Sequence, residues 1–345
     1  MKRCFNVTGA CDPQLHYMVN LQERLEKIKT LVDSGAYFTI SRARQYGKTT
    51  TLMALADYLK KDYIVISLDF QKLGNLDFDD EHIFSKAFAE FFLATVKNRW
   101  NPVEGFQQNI LNELSADIQE NIRFPLRKLF IYLSELCGTA DRPVILMIDE
   151  VDSAANSQVF LDFLAQLRGY YLTRKNTPAF QSVILASVYD IKNISQKIHP
   201  GNERKMNSPW NIAADFHVEM SFSKIGIERM LKEYEADRHT GMNTDELAEL
   251  IVDYSSGYPF LVSRICKLTD EVVAGSIDFP DKASAWTKEG ILKAVNLLLS
   301  EKNTLFESLI NKSVPSKLPV KRAHHNHRLY KIYKSYHNML HNFPL

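Results

Sequence analysis

The chain has 345 residues, 45% of them hydrophobic and 24% charged, with a net charge of +1; that is room for about two domains with sizeable cores and excludes a global electrostatic attraction to nucleic acid or anionic membrane. No apolar run approaches the ~20 residues needed to cross a bilayer, and the stretch from Met1 to Thr8 lacks the continuous apolar core of a signal peptide. Cys4, Cys11, Cys137 and Cys266 are scattered without metal-type spacing, so free thiols and a cytoplasmic location are the expectation.

Residues 14–34 carry Leu21, Leu25, Ile28, Leu31 and Val32 at helical spacing and end at Gly35, which predicts a helix delivering the chain into a strand at residues 37–40. Next comes Ser41-Arg-Ala-Arg-Gln-Tyr-Gly-Lys-Thr-Thr50, followed by a helix-like run over residues 52–59. Strand, tight loop, Gly-Lys-Thr and helix is the layout of a phosphate-binding loop. The helix start offers unpaired N–H groups and the positive end of its dipole to a triphosphate. Gly47, Lys48, Thr49 and Thr50 are the candidate nucleotide contacts, with Lys48 on the β and γ phosphates and the Thr49 hydroxyl on Mg²⁺.

The full pattern G-x-x-x-x-G-K-[ST] has Arg42 at its first glycine position. Glycine serves there because the loop turns sharply and its backbone crowds the ligand. Arg42 must accept a narrower backbone range, while Arg42 and Arg44 offer charge toward the phosphates. Taken alone, Gly-Lys-Thr is as readily the opening of an ordinary helix.

A doubly buried strand is predicted over residues 63–70, from a β-branched apolar run. Helices follow over 81–98, 106–121 and 124–137, with Pro102 and Gly105 marking a break and Pro125 in a first helical turn. The next strand, residues 143–150, ends in Asp149 and Glu150. Lying about 100 residues after the Gly-Lys-Thr, it supplies the other half of a nucleotide site. Asp149 is the candidate holder of the Mg²⁺ shell. Glu150, on the opposite pleat direction, is the candidate that polarises the attacking water. Asp152 adds negative charge nearby. The pairing of the two motifs is far more specific than either alone.

An amphipathic helix is predicted over 157–171, and a further strand over 181–187 ends in Ser187. Ser187 reads equally as a catalytic sensor of the γ phosphate and as an ordinary strand-end hydroxyl. A last strand is predicted at 216–220. Strands alternating with helices imply a parallel α/β sheet with helices on both faces. From 222 onward the strand signals stop, and helices are predicted over 224–238, 243–255, 258–274 and 287–301. The turn Ser255–Phe260 leads into the helix bearing Arg264. Its Gly and Pro are explained equally by the need to end one helix and start the next, and by Pro259 lying on an adenine with Arg264 toward phosphates.

Residues 313–345 hold six Lys or Arg, five His and no acidic residue. They read as a poorly ordered basic tail, although His324, His325 and His327 raise a metal reading that no Cys or carboxylate supports. The expected division is an α/β domain over 1–221, a helical lid domain over 222–312, and this tail.

In this order the elements resemble the AAA+ and signal-transduction ATPase group, and within it the bacterial AAA-like domain proteins. The likeness rests on residues 16–19, 42–50, 68–71, 209–213 and 257–260 and covers roughly residues 5–310. The resemblance implies ATP and Mg²⁺ as cofactors and nucleotide-driven motion of the helical lid. It also implies self-association as a homo-oligomer and an arginine finger acting between subunits. Arg168 and Arg174 are candidates for that finger, with solvated surface arginine as the alternative for both. By motif position, the resemblance assigns Lys48 and Thr49 to phosphate and magnesium, Asp149 to magnesium, Glu150 to hydrolysis and Pro259 to adenine. The function expected first is an ATPase acting as a conformational switch. A nucleic-acid-associated ATPase, motivated by the basic tail and the helical lid, and a non-hydrolysing nucleotide-binding scaffold are the alternatives, with an unidentified protein or DNA as the expected partner. A small-molecule kinase fits less well, because an adjacent Asp-Glu pair suits hydrolysis.

Overall fold

The computed structural model describes residues 2–154, 156–189, 191 and 209–301. The described residues pack as two compact units, one drawn from within 21–43 and 48–219, the other from within 2–20, 44–47 and 220–301.

The first unit is an α/β sheet. Its strands are β1 (Tyr37–Ser41), β2 (Ile64–Asp69), β3 (Val144–Asp149) and β4 (Ser182–Ser187), all parallel, in the order β1-β4-β3-β2. Its helices are α1 (Gln22–Asp33), α2 (Lys48–Leu59), α3 (Glu81–Val96), α4 (Gln108–Glu120), α5 (Leu126–Thr139) and α6 (Gln158–Thr173). Every residue of β3 and β4 is buried, as parallel strands covered on both faces require.

The pleat sorts the two faces. Val144, Leu146 and Ile148 of β3, with Val183 and Leu185 of β4, join one core with the inner faces of α3, α4, α5 and α6. That core is dense in phenylalanine, Phe84, Phe88 and Phe163 among them. Ile145 and Met147 are equally buried on the opposite face, where α2 packs on β2 and β3 and α1 packs on α2. Asp149 follows Met147 by two residues and so points to the α2 face.

Two sequence expectations change here. Residues 14–20 are not helical, and α1 begins at Gln22. His16 instead forms a bridge with Cys4, and Tyr17 is drawn into an aromatic cluster of the second unit. Residues 216–220 form no ladder strand. Beside β1, among the described residues, there is one isolated bridge, Phe38 to Ala214, with Ala214 N–H donating to Tyr37 O at 2.8 Å. The alternation read in the sequence is real, since Val218 and Met220 are buried and His217 and Glu219 exposed, but a period-2 pattern reports an extended chain rather than its hydrogen-bonding partner.

The second unit contains α7 (Lys224–Arg238), α8 (Thr244–Ser255), α9 (Pro259–Leu268), a π turn over Thr269–Val273, the short α10 (Lys282–Ala285) and α11 (Lys288–Ser300). α7 packs on α8, and α11 on α8 and α9. Side-chain caps define the starts: Ser223 accepts from Gly226 N–H, Asn243 from Glu246 N–H and Thr287 from Gly290 N–H. Pro259 is the first residue of α9, where a missing N–H costs nothing.

The N-terminal segment belongs to this unit rather than to the sheet. Phe5 lies 5.1 Å from the Tyr17 ring, 5.2 Å from Tyr234 and 5.7 Å from Trp286. Trp286 Nε1 donates to the Tyr234 hydroxyl at 2.8 Å, and Tyr234 donates to Asp270. Arg3 forks between Glu233 at 2.6 Å and Asp237 at 3.0 Å. Aromatic packing of this kind is worth more than area alone, so Phe5→Leu should cost about 1.5 kcal/mol of stability, read as a lowered urea midpoint. A variant as stable as the parent would mean the segment is merely lying on the surface.

Among the described residues no helix is long and apolar enough to cross a membrane. The residues 313–345 read as a basic tail lie outside the described residues.

Candidate functional site

The C-terminal ends of the strands bring the two sequence motifs together. β1 ends at Ser41, and Arg42 N–H extends the ladder by donating to Ser187 O at 3.1 Å. The loop then passes through two left-handed residues, Gln45 (φ 57°) and Gly47 (φ 77°), and α2 starts at Lys48. Arg42 is not in the left-handed region, so its position in this loop has no conformational need for glycine. Its guanidinium donates to Ser41 O at 2.9 Å and Val218 O at 3.1 Å, and lies 5.6 Å from the Phe216 ring centroid. Arg42 therefore fastens the 216–218 segment, a role the sequence did not reveal.

Lys48 is only 5% exposed, and its ammonium donates to Arg42 O at 3.2 Å and Ala43 O at 3.3 Å. Thr49, 100 residues from Asp149 in sequence, donates its hydroxyl to Asp149 Oδ2 at 2.6 Å. Asp149 Oδ1 accepts from the Glu150 N–H at 2.9 Å, and the residue is 7% exposed. The pleat explains the meeting: Asp149 faces α2, and the first turn of α2 presents Thr49 to it. Thr50 lies in the same first turn.

Glu150 leaves the strand with φ 52°, a conformation few non-glycine residues adopt without being held there. Burial pushes its carboxyl above the usual glutamate range; the nearby Lys48 charge opposes this, and Asp149, Asp152 and Asp69 push it further up. Asp69 ends β2 in register with Asp149. Asp152 has a use the sequence did not suggest. Its carboxylate accepts from Val188 N–H at 2.6 Å and Tyr189 N–H at 3.3 Å, gripping the chain as it leaves β4. Ser153 Oγ donates to Glu150 O at 2.9 Å and Phe70 O at 3.3 Å, so one short turn ties the exits of three strands.

The remaining sequence candidates are spread more widely. Ser187 is 1% exposed and shares the pleat face of Val183 and Leu185, not that of Asp149. Its hydroxyl meets Ser41 Oγ at 3.1 Å and donates to Tyr189 O. The Arg44 side chain is exposed, and its carbonyl accepts from the Tyr258 hydroxyl. Pro259 is buried at the head of α9, and Arg264 forks onto Glu301. Arg174 donates to Gly35 O at 2.6 Å, at the turn before β1 starts and so at the opposite end of the strand from the loop. The Arg168 Nε is buried with no hydrogen-bond partner among the described residues.

A hydroxyl and a carboxylate 2.6 Å apart at a helix N-terminus are the hard oxygen donors that suit Mg²⁺ sharing its shell with phosphate and water. Among the described residues no group of three His, Cys, Asp or Glu could hold an ion by itself. Chemically the arrangement offers anion binding at α2, a cation holder at Thr49 and Asp149, and a carboxyl of raised proton affinity beside them.

The model of the AAA-like domain family matches residues 14–279. No curated protein sequence matches the chain. Among solved structures, the chain is similar to the Walker-type ATPase PABY2304 of Pyrococcus abyssi, at 15% identity over 96% of this chain and 91% of that one, with a TM-score of 0.51. It is also similar to the Aeropyrum pernix ORC2 protein in its ADPNP–ADP complexes, at 14% identity over 84% and 69%, with a TM-score of 0.49. The ORC1 protein of the same organism, in complex with DNA, matches at 11% identity over 95% and 79%, with a TM-score of 0.44. At such identities the likeness is one of fold, that of the P-loop ATPases.

Proposed function

Because this chain belongs to the AAA-like domain family, we propose that it binds ATP with Mg²⁺ and hydrolyses it, the bound nucleotide acting as a conformational switch. The observation that carries the reading is the 2.6 Å contact between Thr49 and Asp149, which joins the phosphate loop to the acidic strand end. In this reading the N–H groups at the head of α2 and the Lys48 ammonium bind the β and γ phosphates. Thr49 and Asp149 hold the ion, which when bound neutralises charge on the phosphate oxygens. Glu150 orients a water and accepts its proton as the water oxygen attacks the γ phosphorus and ADP leaves. Its raised proton affinity suits that task.

The test is direct. Lys48→Ala should weaken ATP binding at least about tenfold, the loss expected when a charge-assisted hydrogen bond to phosphate is removed. Calorimetry with and without Mg²⁺ reads the affinity, and light scattering on the same samples reads self-association. A parent protein that takes up no ATP, or a variant that takes it up equally well, ends this reading.

A further inference from the structure

The loop tip, Arg44 to Gly47, is packed as part of the helical unit, and two tyrosines hold it there. The Tyr258 hydroxyl donates to Arg44 O. The Tyr46 ring meets the Tyr258 ring edge-on, with centroids 4.6 Å apart and planes at 72°. Tyr46 Oη is 2.7 Å from Ser221 Oγ. Tyr258 is 2% exposed and Tyr46 is buried. Burial pushes the Tyr258 hydroxyl well above its ordinary titration range, so it remains a protonated donor at any working pH. A buried hydroxyl without an acceptor is costly, so the bond to Arg44 O is kept whenever the ring is seated.

The tip needs such a hold. Gln45 is left-handed at φ 57° without being glycine, and a residue in that region persists only where its surroundings over-determine it. The atoms that fix its two neighbours are the Arg44 carbonyl and the Tyr46 ring and hydroxyl. The turn that carries Tyr258 is itself tied down: Ser256 and Gly257 are both left-handed, and Phe222 N–H donates to Gly257 O at 2.7 Å.

We infer that Tyr258 and Tyr46 form a clasp that presets the curvature of the phosphate loop, making Tyr258 a positioning residue for nucleotide binding. The inference rests on the proposed ATP site. Its physical content is a population effect. A loop held in its binding-competent shape binds at its intrinsic affinity, whereas a loop that visits that shape a fraction of the time binds more weakly by that fraction. The clasp acts on ligand capture and leaves the groups that transfer the proton untouched.

Tyr258→Phe keeps the ring and removes the single hydroxyl bond to Arg44. The expected result is a rise of about fivefold in both the ATP dissociation constant and KM, the size of effect one hydrogen bond carries. The kcat at saturating ATP stays within about twofold, and the unfolding midpoint of the nucleotide-free protein stays close to that of the parent. Tyr46→Phe should shift binding in the same direction, and the double variant should fall short of the product of the two, because both bonds hold one tip. An unchanged dissociation constant in Tyr258→Phe, in a parent that binds ATP, overturns the clasp and leaves the ATP site standing. A joint loss of kcat, affinity and apo stability reduces Tyr258 to a packing residue and also overturns it. A parent that fails to bind ATP removes the site and the clasp together.

Discussion

Glu150→Gln is expected to lower ATP turnover by at least about a hundredfold, the usual worth of a positioned general base, while ATP affinity stays within a few-fold. Glutamine keeps the shape of the side chain but cannot take a proton from water. The pH profile supplies a second, independent reading. Burial and the carboxylates of Asp149, Asp152 and Asp69 hold the Glu150 carboxyl above the ordinary glutamate range. Only the carboxylate accepts a proton, so turnover should fall as pH drops through that raised value, leaving an acid limb higher than a free glutamate would give. Stability runs the other way. The folded state binds this proton more tightly than the unfolded state, so the contribution of Glu150 to stability is full below the unfolded value and is lost as pH rises through the folded one. Single-turnover phosphate release in parent and variant, from acid to neutral pH, checks the turnover and its acid limb, and urea unfolding over the same pH range checks the stability. Equal turnover in the two proteins would falsify the assignment of Glu150 as base.

Gly257→Ala is the substitution with the largest expected cost to folding, about 3 kcal/mol or more, since backbone strain and overpacking act together. Gly257 sits at φ 71°, and a Cβ there would lie 2.1 Å from Phe222 O, a main-chain atom with no room to move aside. The same pair is bonded in the other direction, Phe222 N–H to Gly257 O, so relieving the clash breaks the hydrogen bond. The residue before it, Ser256, is already left-handed and closes α8 by donating its N–H to Val252 O at 2.7 Å. Two successive left-handed residues leave the turn no alternative path. Urea unfolding of the variant measures the cost, and a loss below about 1 kcal/mol would mean the turn can rearrange. Because Tyr258 follows directly, whatever fraction of Gly257→Ala folds should also bind ATP more weakly.

Two glycine-like demands in this chain illustrate what a motif can and cannot convey. The loop pattern raises concern over Arg42 because glycine is the common occupant of that position. The need for a left-handed backbone actually falls on Gln45 and Gly47, and Arg42 spends its charge on Ser41 O and Val218 O. At Gly257 the sequence offers a turn and a helix start, but the close approach of Phe222 O is invisible until the two segments are packed. Ser187 and Arg264 follow the same logic. Each has a residue type suited to a nucleotide site, and only the packed chain shows their protein partners, Ser41 Oγ and Tyr189 O for the first and Glu301 for the second.

The parallel sheet, the helical second half and the order Lys48, Thr49, Asp149, Glu150 are legible before any folding, because they reside in local periodicity, loop chemistry and motif spacing, all of which are written along the chain. Only the packed chain shows that residues 2–20 belong with the helical unit, that 216–220 join no strand and the bridge to β1 falls at Ala214, that Asp152 grips the end of β4, and that Tyr258 reaches Arg44 O. Each of these is a pairing between segments far apart in sequence. A side chain's type limits which partners it can bond, but only the packing of the two segments selects one, and no period or spacing records that choice.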